Sequence, residues 1–462
     1  MRAATLGNSL ESRDIASVLH PFTNAAAHEG SGPEIITSGK GVYITDVAGK
    51  QYLDGMAGLW AVALGYSNER LVEAATRQLN KLPYYHTFAS RSNEPSIELA
   101  ERLIAMAPVQ MSKVFFTSSG SEAVDTAFKI VWYYNNAIGR PEKRKIISRK
   151  RAYHGVNVAS GSATGLHVVH AGFGLPVQDI IHTECPHYLM NRLDDESEDQ
   201  FVERMAGSLE RLIVEEDPAT IAAFIAEPVM GAGGVIPPPE GYFDRVQEVL
   251  ERYDILLIAD EVICGFGRTG NMFGSETYGL KPDLMTMAKA LSSGYQPIGA
   301  VMISDRLYRA IRDHSAEVPV FGHGYTYSGH PVCAAVALEA QKIYEETDIL
   351  SHVRTVGAYF QERLRSFAEH PLVGEVRGVG LIAAIELVKD KASLERFQAP
   401  GVVGGFAAKA AYERGLVVRP LPGGDSLGLC PPLVITKGEV DRLAALLGSA
   451  LDDTVEVVRR PA

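Results

Sequence analysis

The chain of 462 residues carries a formal net charge of −12, with 46% hydrophobic and 22% charged residues. This length is sufficient for two domains, and the composition is ordinary for a soluble globular protein. The acidic balance argues against nucleic acid or an anionic membrane as the main partner, and no apolar run reaches membrane-spanning length. The N-terminus lacks the basic start and apolar core of a secretory signal, so we expect a cytoplasmic protein.

The cysteines and histidines do not suggest a metal site. The four cysteines are widely spaced, at Cys185, Cys264, Cys333 and Cys430. Without a C-x-x-C pair they predict reduced thiols rather than a zinc site or a disulfide framework. The loop at residues 321–331 holds two histidines, but no carboxylate or cysteine stands at ligand spacing from them. We therefore expect no bound metal.

The order of predicted elements indicates an α/β protein. The first 40 residues or so show little periodicity and are interpreted as an arm, and residues 41–54 predict a β-hairpin. From about residue 94, apolar strands alternate with amphipathic helices, which is typical of a mostly parallel sheet covered by helices. The last part of the chain predicts a mixture of strands and helices. We therefore divide the chain into an arm with part of a small domain (1–65), a large domain (66–335) and the remainder of the small domain (336–462).

Residues 255–289 carry the clearest chemical signal. The apolar run at 255–259 is typical of a buried strand, so Asp260 is expected at the sheet edge where ligands bind in α/β folds. Lys289 is the only charged residue between Asp283 and Asp305. Burial would lower its pKa and leave an amine able to attack a carbonyl group.

An acid and an isolated lysine at neighbouring strand ends suit pyridoxal phosphate (PLP). The lysine would form a Schiff base with the cofactor, and the acid would keep the pyridine nitrogen protonated. Two structural alternatives stay open at this point. Asp260 could cap a turn, and Lys289 could extend from a core helix to solvent.

Two loops after predicted strands fit the same cofactor. Ser119, Gly120 and Ser121 stand between a strand and a long helix, where free backbone N–H groups and the helix dipole favour a phosphate. An ordinary helix cap is the alternative. Tyr153 and His154 follow the next strand, and an aromatic ring there could stack on a planar cofactor, although such a pair is more often structural.

A third glycine-containing stretch is interpreted as a turn. Residues 265–270 match G-x-G-x-x-G after a strand, but a dinucleotide site also needs a helix that opens there and an acid about 20 residues further on. The residues that follow the match are typical of a loop.

Together, these stretches resemble the class III (omega) aminotransferases, which are fold type I PLP enzymes. The resemblance covers almost the whole chain, from His20 to Arg419. Its motifs occur in family order: Ser119-Gly120-Ser121-Glu122-Ala123, Tyr153-His154-Gly155, Asp260-Glu261-Val262 and Lys289-Ala290-Leu291-Ser292-Ser293-Gly294. It implies a large domain with a mostly parallel sheet covered by helices, a smaller α+β domain, and a homodimer, possibly arranged as a tetramer, whose subunits share active sites.

The resemblance also implies roles for individual residues. Lys289 would bind PLP covalently and transfer protons, Asp260 would pair with the ring nitrogen, and Tyr153 and Val262 would sandwich the ring. Thr326 would reach the phosphate of the other subunit. The implied cofactor-binding residues are Ser119, Gly120, Ser121, Tyr153, His154, Glu227, Asp260, Val262, Lys289, Tyr325 and Thr326.

Substrate choice depends on the residues near Gly231. Family members that act on ornithine or 4-aminobutyrate usually have a glutamate where this chain has Ala232, and many relatives have a glutamine at Met230. Both changes make the predicted pocket less polar and favour the amine–pyruvate branch. Arg419 would bind the keto-acid carboxylate and move aside for an uncharged amine. The implied substrate-binding residues are Phe22 (which could come from the partner subunit), Trp60, Phe88, Tyr153, Ala232 and Arg419.

The predicted activity is ping-pong transfer of an amino group from a small amine or omega-amino acid to pyruvate, which gives alanine. Three alternatives stay open from the sequence. The first is an aminomutase or decarboxylase of the same fold, the second a nicotinamide oxidoreductase built on residues 265–270, and the third a non-catalytic protein with a PLP-enzyme fold.

Overall fold

The computed structural model describes residues 8–458. The outer ends of two predicted domain ranges, 1–65 and 336–462, therefore lie outside the described residues. Within the described residues, no helix combines the length and hydropathy needed to cross a bilayer.

The N-terminal segment has more regular structure than its sequence indicates. Ser9 and Asn24 cap two short helices by accepting the amides of Ser12 and Ala27. Neither helix has a buried residue, and without an apolar face there is no periodic signal to detect. The predicted hairpin is present and forms part of an antiparallel three-stranded meander. The elements are α1 (Leu10–Ser17), α2 (Ala25–Ser31), β1 (Ile36–Lys40), β2 (Tyr43–Asp46), β3 (Gln51–Asp54) and α3 (Ala57–Trp60).

The middle of the chain alternates strands and helices, as its sequence predicts. Its elements are α4 (Glu69–Lys81), α5 (Glu94–Met106), β4 (Met111–Thr117), α6 (Gly120–Ala137), β5 (Lys145–Arg149), α7 (Val158–Ala163), α8 (His167–His170), β6 (Ile180–Thr183), α9 (Tyr188–Asn191), α10 (Glu198–Glu215), β7 (Ile221–Ala226), α11 (Tyr242–Arg252), β8 (Leu256–Asp260), α12 (Gly274–Tyr278), β9 (Leu284–Met287), β10 (Gly299–Ser304) and α13 (Asp305–His314). A 3₁₀ helix of one turn, Lys289–Leu291, follows β9.

A seven-stranded sheet forms the centre of the molecule, in the order β4-β10-β9-β8-β7-β5-β6. Every residue of β7 and β8 is buried, which explains why both sequences are continuous apolar runs rather than alternating ones. Strand β10 is antiparallel to both of its neighbours, and the β5, β6, β7, β8 and β9 pairings are parallel. The carboxyl ends of β7, β8 and β9 therefore meet at one edge, where Asp260 is paired with Thr286.

The C-terminal part adds helices and two small sheets. Its elements are α14 (Pro331–Glu346), α15 (Ile349–Arg365), β11 (Val373–Val379), β12 (Ile382–Leu387), α16 (Val402–Glu413), β13 (Leu416–Val417), β14 (Arg419–Pro420), β15 (Ser426–Leu429) and α17 (Lys437–Val458). Strand β13 runs parallel to β3 and extends the N-terminal meander, whereas β14 joins β11, β12 and β15 in a separate sheet.

The chain changes from one small sheet to the other at Val418, immediately before Arg419. The N-terminal and C-terminal parts are thus joined by strand pairing, as expected for a small domain built from both ends of the chain. The strands of the central sheet all lie within residues 66–335. The exact division into three ranges stays a prediction.

Candidate active site

A cavity of about 200 Å³ lies at the carboxyl edge of the central sheet. It brings together residues that are up to about 400 positions apart in the sequence, from the N-terminal arm to β14. Twelve of the predicted site residues line it: Phe22, Trp60, Gly120, Ser121, Tyr153, His154, Glu227, Ala232, Asp260, Val262, Lys289 and Arg419.

Asp260 is buried at the end of β8, and both of its carboxylate oxygens form hydrogen bonds. Its Oδ2 lies 2.7 Å from His154 Nδ1, and its Oδ1 accepts the Thr286 hydroxyl and the Val262 amide, both at 3.1 Å. A buried carboxylate is stable only when its oxygens are paired. Because an ionised carboxylate only accepts hydrogen bonds, His154 Nδ1 carries the proton between them. The other ring nitrogen of His154 is buried without a partner in the described chain.

Lys289 begins the 3₁₀ turn after β9, and its side chain is half-buried in the cavity wall. Its amine has no hydrogen bond or ion pair within the described residues. Burial lowers the pKa of this lysine, against the opposing attraction of Asp260 and Glu227. A partly desolvated amine with a depressed pKa is the form that attacks carbonyl carbon.

The first turn of α6 fits a phosphate. Ser119 caps the helix, and its hydroxyl accepts the Glu122 amide. The amides of Gly120 and Ser121 precede the first intrahelical bond and have no acceptor in the described chain, so they remain available at the positive end of an 18-residue helix. A Cβ at Gly120 would lie only 3.1 Å from a Val262 methyl carbon, so glycine keeps this approach open.

Glu227 supports the wall next to Tyr153. It is 2% exposed at the end of β7, and it accepts the amides of Tyr153 at 3.0 Å and Gly231 at 2.8 Å. Burial raises its pKa, with the nearby His154 acting in the opposite direction. These two hydrogen bonds tie the Tyr153 loop to the turn that carries Ala232.

The remaining wall is apolar except for Arg419. Phe22, Trp60 and Ala232 line it, and the Arg419 guanidinium has no hydrogen bond or ion pair with any described side chain. A half-buried guanidinium stays charged and, when unpaired, is a strong site for a carboxylate. The Phe22 that lines the cavity belongs to the same chain.

Several cavity residues have strained backbone. Phe22, Trp60 and Lys289 have φ angles of 50°, 65° and 44°, in the left-handed region that non-glycine residues rarely occupy. Such conformations cost on the order of 1–3 kcal/mol each and are concentrated at functional sites. Their grouping around one cavity is an independent sign that the cavity has a function.

Five residues from the sequence argument do not line the cavity of the described chain. Ser119 acts as the cap of α6, which was the structural alternative. Met230 packs in a small core with Ala152, Cys185 and Ile236, so it makes no direct contribution to the wall's polarity. Phe88, Tyr325 and Thr326 lie together elsewhere: the Gly324 loop meets the Phe88 ring, and the Thr326 carbonyl accepts the Tyr84 hydroxyl.

Six lining residues were missed in the sequence: Leu59, Gly155, Leu166, Ile263, Ala288 and Pro422. Ile263 and Ala288 adjoin Val262 and Lys289, so sequence proximity could have indicated them. Leu166 and Pro422 are apolar loop residues with no motif, and only the fold brings them to the cavity.

The glycine match at 265–270 consists of turns, and α12 begins only at Gly274.

The chain matches the family model described as Aminotransferase class-III over residues 25–451 and belongs to that family. These enzymes are PLP-dependent, and PLP is the cofactor. The fold and motifs that the sequence predicted are confirmed. Membership also removes the nicotinamide alternative.

Named relatives differ in the activity that their names give. A gamma-aminobutyrate transaminase 1 of Oryza sativa subsp. japonica is 51% identical over 96% of this chain and 85% of its own length. A similar protein of Solanum lycopersicum is 50% identical, over 95% and 85% respectively. Among solved structures, the omega transaminase from Pseudomonas jessenii in complex with PMP is 52% identical, with a TM-score of 0.96 over 98% of this chain and 99% of its own.

Replacing Lys289 tests the centre of this site. When wild-type protein is incubated with PLP and reduced with borohydride, we expect peptide mass spectrometry to find a stable cofactor label on Lys289. The variant Lys289→Ala should carry no such label and lose the visible absorbance of the bound cofactor. Its turnover should fall by at least about 10²- to 10⁴-fold, because proton transfer by a positioned side chain alone contributes a factor of this size.

Lys281→Ala is a matched control because that lysine is exposed and does not line the cavity. It should keep both label and turnover. Full steady-state activity of Lys289→Ala would contradict the assignment.

Proposed function

We propose that this aminotransferase moves the amino group of an amine or omega-amino acid to pyruvate, giving alanine, by a ping-pong mechanism. The observation that carries the proposal is the unpaired Arg419 guanidinium in a wall that is otherwise apolar. With alanine at position 232, the wall has no glutamate there to neutralise that charge when the substrate lacks a carboxylate. A short keto acid with one carboxylate matches this arrangement.

Bound PLP would supply an electron-accepting ring that lets a proton leave the amine-bearing carbon and holds the amino group between the two half-reactions. Asp260 would face the ring nitrogen and keep it protonated, since hydrogen bonds from His154, Thr286 and Val262 hold this carboxylate in position. The free amides of Gly120 and Ser121 would hold the phosphate. Tyr153 and Val262 would contact the two faces of the ring.

Lys289 would bind the cofactor at rest and act as the base and acid of each half-reaction. Its Nζ can accept a proton when neutral, and burial lowers the pKa of this lysine, which favours that neutral form. Lys289 has a strained backbone conformation and lines the cavity. The apolar wall limits the access of water, which would otherwise compete for the same proton.

The two substrates would share the Arg419 side of the cavity in turn. A keto-acid carboxylate would form charge-assisted hydrogen bonds with the guanidinium. During the amine half-reaction, an uncharged tail would instead pack on Phe22 and Trp60. Arg419 begins a two-residue strand at the edge of its sheet, and its side chain is not held by any described partner. That freedom supports movement of the guanidinium between the two half-reactions.

We also propose a homodimer with shared sites. Phe88 and Thr326 are exposed in the single chain, although Phe88 is a large aromatic residue. The Gly324 loop and Phe88 form one continuous surface. Exposed apolar groups next to a polar loop are typical of an interface, and this surface would place Phe88, Tyr325 and Thr326 at the partner's cavity.

A second candidate donor, 4-aminobutyrate, is favoured by the names of the curated relatives. Its single carboxylate could also be bound by Arg419, so it fits within the omega-amino acid class. An aminomutase or decarboxylase of the same fold stays as the alternative reaction. An absolute requirement for added keto acid would distinguish amino-group transfer from the aminomutase and decarboxylase reactions.

The acceptor preference tests the proposed function. With one fixed donor, we expect kcat/KM for pyruvate to exceed that for 2-oxoglutarate by at least about 10-fold, which corresponds to about 1.4 kcal/mol. The reason is that 2-oxoglutarate would bury a second carboxylate against the apolar wall around Ala232 without a partner. Steady-state assays of both acceptors measure the ratio. A preference for 2-oxoglutarate would contradict the proposal.

Arg419→Leu should separate the two half-reactions. We expect KM for pyruvate to rise by about 10- to 100-fold, because a charge-assisted hydrogen bond contributes about 1.5–3 kcal/mol. The single-turnover rate with an uncharged aromatic amine should change by less than about 3-fold, since that substrate has nothing to pair with the guanidinium. Arg419→Lys keeps the charge but loses the planar guanidinium, so its KM for pyruvate should lie between those of the wild type and Arg419→Leu. Equal losses in both half-reactions would contradict the assigned role.

A further inference from the structure

The N-terminal arm contains a group of side chains that the transaminase mechanism does not use. Asp14 lies on α1, His28 on α2, and His20 in the connection between them. One ligand atom from each of the three residues lies within 4.8 Å of the other two. The residues stand six and eight positions apart, which matches none of the spacings considered in the sequence, and the sequence therefore predicted no metal.

The two imidazoles converge on a single carboxylate oxygen. His20 Nε2 lies 2.7 Å from Asp14 Oδ1 and forms a hydrogen bond with it. His28 Nε2 lies 3.2 Å from the same oxygen but does not have the geometry of a hydrogen bond, and it is buried with no other partner in the described chain. A buried ring nitrogen that lies close to a carboxylate without a hydrogen bond is costly in the absence of a ligand.

We propose that Asp14, His20 and His28 bind one divalent transition-metal ion, with Zn²⁺ as the best match. Neutral imidazole nitrogen and carboxylate oxygen are its usual ligands in proteins, at about 2.0–2.2 Å. Tetrahedral ligands at that distance are roughly 3.3 Å apart. The observed separations of 2.7 and 3.2 Å therefore need only small side-chain movements to admit the ion.

The surroundings allow an ion to enter. The side chains of His20 and Asp14 are 30% and 21% exposed, and that of His28 is 11% exposed. A cavity of about 310 Å³ between the two helices is lined by both histidines and Glu29. Three protein ligands leave a fourth position, which water from this cavity would fill.

The site would act on the substrate cavity through Phe22. This residue lies two positions after His20, between the two histidine ligands, and its side chain is part of the cavity wall. A metal bound to Asp14, His20 and His28 cross-links α1, α2 and their connection. It would therefore limit how far the Phe22 segment moves when a bulky amine enters.

Zinc binding by the full-length, PLP-loaded protein without an affinity tag tests the proposal. The protein is treated with a chelator, dialysed against micromolar Zn²⁺ and exchanged into metal-free buffer, and zinc per chain is measured by atomic emission. We expect close to one zinc per chain in the wild type. In His28→Gln and Asp14→Asn, bound zinc should fall at least 10-fold, with PLP content and melting temperature in metal-free buffer unchanged.

His167→Gln is the matched control, because it removes an exposed imidazole outside the cluster. It should bind as much zinc as the wild type. Co²⁺ gives a second readout, since its visible ligand-field bands should appear in the wild type and be absent in His28→Gln. If the wild type holds no more zinc than His28→Gln, or if all four proteins bind it equally, the cluster is only a hydrogen-bonded contact between helices and the proposal is wrong.

Discussion

The buried carboxylate of Asp260 is the constraint around which the site is built. A charge in this position is stable only because His154, Thr286 and Val262 all donate to it. The parallel register of β8 and β9 supplies Thr286, and the loop after β5 supplies His154. The strand order of the central sheet, and not one local motif, therefore determines where this carboxylate lies, and in our proposal that position determines where the PLP ring would be held.

The residues to which we assign the chemistry and those to which we assign substrate choice lie on different parts of the fold. Asp260, Lys289 and Gly120 follow strands of the rigid central sheet, so their relative positions are closely determined. Phe22 comes from the N-terminal arm, and Arg419 from a two-residue strand that begins two residues after β13, which pairs with β3.

The sequence indicated that Asp260 and Lys289 lie at one site, because both depend on local signals, and both line the cavity. An apolar run ending at Asp260 and an isolated charge at Lys289 are visible without a structure. The two helices of the arm were not predicted, because α1 and α2 bury no residue and have no periodic apolar face. Tertiary packing determines the position of Met230 and brings Asp14 next to two histidines. Patterns in a single sequence do not show such packing. Ser119 shows the opposite case: the motif was visible, but the hydroxyl is used to cap the helix.

The protonation state of the cofactor ring tests the central claim most directly. The protein would be loaded with PLP labelled with ¹⁵N at the ring nitrogen, and the chemical shift of that nitrogen would be measured by NMR in wild type and in Asp260→Asn. Our account predicts a protonated nitrogen in the wild type and an unprotonated one in Asp260→Asn. An unprotonated nitrogen in the wild type, or equal protonation in both proteins, would contradict it.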